Sequence, residues 1–127
     1  MIAFPRLDEG ISAPSLAPLT APIDREHLAR MTLGERSLER EVLELFDRQS
    51  DMLFARMCKS SPAVAAAAAH TLKGSARGVG AWRVANAAEA VELVAASRVA
   101  EIKVALGALK TAVEETKTAI AELLRSN

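Results

Sequence analysis

His70, Lys73, Gly74 and Arg77 are spaced so that a helix would carry all four on one side. Each residue of an α-helix turns about 100°, so positions i, i+3, i+4 and i+7 share a stripe. Leu72, Ala76 and Val79 then fall on the other side. The outward stripe combines an imidazole, two cations and a residue without a side chain. A glycine weakens a helix interior by roughly 1 kcal/mol relative to alanine. Packing gives no reason for it on an outward face. Gly74 therefore implies that something approaches the backbone closely there.

An outward imidazole can be a metal ligand, a general base, a nucleophile or a plain surface residue. A metal centre needs further His, Cys or carboxylate ligands. The other histidine is His27, and no carboxylate stands between Asp51 and Glu89. A metal site at His70 is not expected. A Ser/His/Asp arrangement would need a strained nucleophile turn and an oxyanion loop, neither of which is visible. Gly74, Gly78 and Gly80 close a helix rather than open one, so they form no phosphate-cradling loop. The nucleophile remains. Neutral imidazole attacks phosphorus to form a phosphoramidate. Lys73 and Arg77 would offset charge on the phosphoryl oxygens. The charged residues between Asp51 and Glu89 are Arg56, Lys59, Lys73, Arg77 and Arg83, all basic. They predict a locally basic sector suited to a phosphorylated partner. A merely solvated basic face is the plainer alternative, and the histidine beside Gly74 argues against it.

The elements that must position this stripe are nearly all helical. A 127-residue chain with 50% hydrophobic and 25% charged residues is an ordinary globular domain. Its net charge is zero, which favours neither nucleic acid nor membrane. No signal peptide or membrane span is apparent, so a cytoplasmic location is expected. The single cysteine, Cys58, excludes an internal disulfide and is expected to pack as a small apolar residue. Residues 1–22 hold Pro5, Pro14, Pro18 and Pro22 and read as an irregular arm. Ile11, Leu16 and Leu19 are the apolar residues available to pin parts of it to the body, and the sequence leaves open whether they do. Residues 23–127 form the bundle domain.

Asp24 is the expected N-cap of a short helix ending near Leu33-Gly34. A long helix follows over about 35–58, with Leu38, Val42, Leu45, Met52 and Leu53 at helical spacing and Phe46 beside them. Ser61 and Pro62 start the next, over about 62–78, with Gly78 and Gly80 ending it. The run Ala65–Ala69 gives it small faces for close packing. A fourth helix spans about 81–96 with Val84, Ala88, Val91 and Ala95 inward. A last covers about 99–125, where Ile102, Leu106, Leu109, Val113, Ile120 and Leu123 make a seam. The fold class is all-α: an antiparallel up-down four-helix bundle with a short extra N-terminal helix.

Residues 70–92, HTLKGSARGVGAWRVANAAEAVE, closely resemble the histidine phosphotransfer (HPt) domain. The motif is His-x-Leu-Lys-Gly, met by His70, Leu72, Lys73 and Gly74. A Gly-Ala pair follows, met by Gly80 and Ala81. Val84, Ala88 and Val91 supply the later small or aliphatic residues, and acidic Glu92 comes after them. Leu43-Glu44-Leu45-Phe46 resembles the usual upstream stretch. The resemblance spans about residues 24–125. Departures are mild: Val84 and Val91 replace the commoner leucine, Gly78 a frequent asparagine, and Trp82 fills a variable site.

The resemblance implies a phosphocarrier of a multistep phosphorelay. His70 would take phosphate from one receiver-domain aspartate and pass it to another. Lys73 would stabilise the phosphoryl group, and Gly74 and Arg77 would meet the partner. Glu92 or Glu89 would hydrogen-bond the inner ring nitrogen. The Mg²⁺ would be the receiver's, with no cofactor or metal held by this chain and no ATP chemistry of its own. The partners would be receiver domains of a hybrid kinase and of a response regulator, met by a monomer. His27 lacks the accompanying Lys-Gly and reads as a surface residue, and Trp82 reads as packing at a helix start. Three other readings compete. A chemotaxis-kinase phosphotransfer domain would need an attached ATP module. A binding-only bundle could dispense with His70 and Lys73. A sensor-kinase dimerisation domain carries a different segment after its histidine.

Overall fold

A computed structural model describes residues 21–126 of the chain. The assigned arm, with Ile11, Leu16 and Leu19, lies outside the described residues up to position 20. Among the described residues there are five α-helices and no strand. They are α1 (Arg25–Met31), α2 (Arg36–Lys59), α3 (Pro62–Val79), α4 (Trp82–Ser97) and α5 (Ile102–Arg125), with a 3-10 turn at Val99–Glu101 before the last. None is long and apolar enough to cross a membrane.

Local chemistry sets the ends. Asp24 caps α1, its carboxylate accepting the His27 N–H at 3.1 Å. Leu33 and Gly34, both left-handed at φ 55° and 73°, turn the chain into α2. The Ser61 hydroxyl caps α3 and Pro62 takes its first position. Gly80 ends α3 at φ 81°, and the Ala81 N–H reaches back to the Ala76 carbonyl at 2.8 Å. Gly78 was expected to help end α3, but it lies within the helix, which runs on to Val79.

The helices pack in a ring: α2 on α3, α3 on α4, α4 on α5, and α5 back on α2. Cross-helix pairs run in opposite senses along the chain. Arg40 at the start of α2 donates to the Leu124 carbonyl at the end of α5, and Lys117 of α5 bridges Asp47 and Asp51 of α2. His70 and Lys73 of α3 likewise meet Glu92 and Glu89 of α4 in reverse order. The α2/α5 and α3/α4 pairs are therefore antiparallel.

Small residues form much of the core. Ala65, Ala69, Ala76, Ala81 and Ala88 are fully buried, which lets α3 and α4 approach closely. Leu72, Val84, Val91, Leu109 and Ile120 fill the centre. The α2 seam differs from the expected one. Leu43, Phe46, Ser50, Leu53 and Met57 face inward, whereas Leu38, Leu45 and Met52 are exposed. The helix carries two adjacent apolar stripes, and the one holding the large Phe46 and Met57 side chains occupies the core. Cys58 was expected to pack inside but is exposed, next to the buried Met57 in the last turn of α2.

Candidate functional site

The expected stripe is formed on α3. The His70 side chain is 67% exposed. Its Nδ1 lies 2.9 Å from Oε2 of Glu92, one helix away on α4. The other Glu92 oxygen accepts from Lys73 Nζ, also at 2.9 Å. One carboxylate thus ties the histidine and the lysine together. The hydrogen bond from Lys73 lowers the Glu92 pKa most; burial opposes it, and the contact with His70 adds to the lowering. An ionised carboxylate can only accept, so Nδ1 carries the hydrogen, and in the neutral ring the lone pair is then on Nε2. In that tautomer the exposed Nε2 is the ring atom with nucleophilic capacity.

Glu92 thus takes the ring-facing position. Glu89 stands one turn earlier on α4, 4.0 Å from both Lys73 Nζ and Arg77 Nη2, and touches the ring in no described contact. Lys73 departs from expectation. It was placed on the exposed face, yet its side chain is only 13% exposed because it leans across to α4. The local basic sector is also modified. Lys73, Arg77 and Arg83 stand beside Glu92, Glu89 and Glu115, so the site is ion-paired rather than simply cationic. The carboxylates come from α4 and α5, beyond the stretch of sequence that looked basic.

Gly74 is exposed, and a Cβ built there would meet nothing within 4 Å. The same holds for Gly78. The surface beside His70 is therefore open backbone. Ser75, next along, lines a groove with Val42, Leu45, Phe46, Gln49 and Val79, in keeping with a helix-contact role.

His27 is a correction to the sequence reading. It is half-buried, its ring lies edge-on to Trp82 with centroids 4.9 Å apart, and its buried Nε2 has no hydrogen-bond partner. Trp82 Nε1 donates to Asp24 at 2.9 Å, which binds the start of α4 to the start of α1. No group of three or more His, Cys, Asp or Glu residues suited to a metal ion occurs among the described residues.

Comparison with curated proteins and with solved structures finds no match. The sequence model of the Hpt domain matches residues 25–125, all five helices. The chain belongs to the Hpt domain family, the helical phosphocarrier modules of histidine phosphotransfer in phosphorelay signalling.

Proposed function

We propose that His70 is the phosphoacceptor of a multistep phosphorelay, taking the group from one receiver-domain aspartate and yielding it to another. The observation that carries this is the exposed ring held through Nδ1 by Glu92. The Nε2 lone pair attacks phosphorus as the bond from phosphorus to the aspartyl oxygen breaks, and the aspartate leaves as a free carboxylate. Nε2 gains the phosphoryl group while Nδ1 keeps its hydrogen, so the ring becomes cationic. The Glu92 carboxylate opposes that charge as it develops. Transfer to the second receiver is the same step reversed. Mg²⁺ and the acidic pocket are the receiver's contribution, and positioning dominates such chemistry.

Lys73 has two candidate roles, phosphoryl stabiliser and anchor of Glu92. Its short contact with Glu92 favours the anchor in the unphosphorylated chain. Gly74 leaves the approach path clear, and Arg77, half-exposed at the rim, acts on encounter.

Incubation with a phosphorylated receiver tests the reading. Wild type should gain an acid-labile label, His27→Gln should gain it equally, and His70→Gln should gain none while keeping its fold. ATP and Mg²⁺ alone should label none of them. Label on the His70→Gln chain would sink the proposal.

A further inference from the structure

We propose that the outward face of α5 is a dimer surface, on which a second copy of this chain lays its own α5 antiparallel.

The bundle closes within one chain, which is why a monomer was expected from the sequence. Closure uses only the inner side of α5, where Leu109, Ala112, Val113, Thr116 and Ile120 are buried. The outer side carries Val104, Gly107, Thr111, Glu114 and Thr118 at steps of three and four, all exposed. Val104 is 79% exposed, an aliphatic side chain almost wholly in water. It edges an apolar groove of about 430 Å³ between α4 and α5, lined also by Ala90, Val94, Glu101, Ala105 and Ala108. A Cβ at Gly107 would meet nothing within 4 Å, so no neighbour within the chain requires a glycine there. At that point a second helix can approach the backbone closely.

The charges select the occupant. Glu115 is held by Arg83, and Lys117 by Asp47 and Asp51. The other charged residues of α5 are Lys103, Lys110, Glu114, Glu122 and Arg125. All five are exposed and make no ion pair among the described residues. Two parallel copies would set each of these charges against its own kind. Two antiparallel copies related by a two-fold axis set residue i against residue j with i + j constant. Lys103 then faces Glu122 of the second copy, and Lys110 faces its Glu114, with the axis near Ala112 in both cases. The same register sets Arg125 opposite Glu101, the residue that precedes the second α5. A pattern complementary to itself about one axis fits a second copy, and an unrelated partner would not require it.

The helical rise from Lys103 to Glu122 is about 28 Å. A contact one helix wide lies at the small end of interface sizes, so the dimer is weak and reversible. The facing charges set its orientation and register more than its strength. His70, Gly74 and Glu92 belong to α3 and α4 and lie outside the contact, so the pairing does not depend on phosphate at His70.

Sedimentation of the full chain over a concentration series up to about 1 mM tests the pairing. The average mass should rise towards that of a dimer, and more so at low salt. Lys103→Glu with Lys110→Glu should raise the dissociation constant at least about ten-fold. Adding Glu114→Lys with Glu122→Lys to the same chain swaps the two halves and should restore the dimer. Gly107→Gln should stay folded and lose it. Arg48→Glu with Arg56→Glu makes the same change of net charge on α2 and should leave the dimer in place. A monomer mass throughout would overturn the proposal. So would a dimer that survives the α5 reversal or Gly107→Gln, a swapped chain that stays monomeric, or equal weakening by the α2 pair.

Discussion

His70 and Lys73 share one acceptor, and that sharing makes their contributions inseparable. The Glu92 carboxylate accepts from Lys73 through one oxygen and faces Nδ1 of His70 with the other, so it couples the two side chains. Under the proposed role, Glu92→Gln should slow saturated transfer on the order of ten-fold, about 1.4 kcal/mol of barrier, with receiver affinity little changed. Lys73→Ala should slow it similarly. If Lys73 works by anchoring Glu92, the double variant should be hardly slower than either single one. Single-turnover kinetics on the four chains decide it. Fully additive losses would give Lys73 its own contact with the phosphoryl group and remove the anchoring role. The lowered Glu92 pKa fixes a sign as well. A depressed carboxylate contributes stability above its ordinary value of 4.5, and that contribution is lost as pH falls through the depressed folded value. The tie is thus intact throughout the neutral range in which the phosphorelay would operate.

Two glycines of the α3 region show how one residue type serves opposite ends. Gly74 sits in ordinary helical backbone with open space where a Cβ would be, so its freedom is unused by the fold. Gly74→Gln should leave thermal stability unchanged or raise it by up to about 1 kcal/mol. Transfer from the receiver should nevertheless fall sharply, because the side chain fills the approach path. Gly80 is left-handed at φ 81° and presses on Asp24, so Gly80→Ala should cost at least about 1–2 kcal/mol. Thermal melts of both variants beside transfer rates check the pair. A destabilised Gly74→Gln, or normal transfer by it, would contradict the clearance role. Gly74 was legible in sequence because a glycine among alanines on an outward face has no packing reason. The caps at Asp24 and Ser61 were legible because their chemistry is local. The α2 face was not. Leu38, Val42, Leu45 and Met52 have the same periodicity as Leu43, Phe46, Leu53 and Met57, and only tertiary volume selects the stripe that goes inside. Lys73 was misplaced for a related reason. Its exposure depends on Glu92, 19 residues away, and no helix-face argument contains that partner.

At the scale of the whole molecule, the site's geometry depends on α4 holding station against α3, and the ring of helices closes only where α5 returns to α2. That closure is polar at its edge. Lys117 reaches both Asp47 and Asp51 at 2.8 Å, and Arg40 ties the far end of α5. Burial of Lys117 disfavours its charge, but the hydrogen bonds it donates to Asp47 and Asp51 outweigh that and raise its pKa above the ordinary 10.5. A group whose folded pKa is raised stabilises the fold fully below its unfolded value. The contribution then disappears as pH climbs through the folded value. The stabilisation from this triad should therefore be constant through neutral pH and fade only above about pH 10.5. Lys117→Met keeps the aliphatic stem and removes the charge, leaving Asp47 and Asp51 facing each other one helical turn apart. The variant should melt lower than wild type at pH 7, and the gap should narrow as wild type is taken above pH 10.5. Paired melting curves across that range measure it directly. A gap that stays constant to high pH would mean that the stem, not the ammonium, holds α5 to α2.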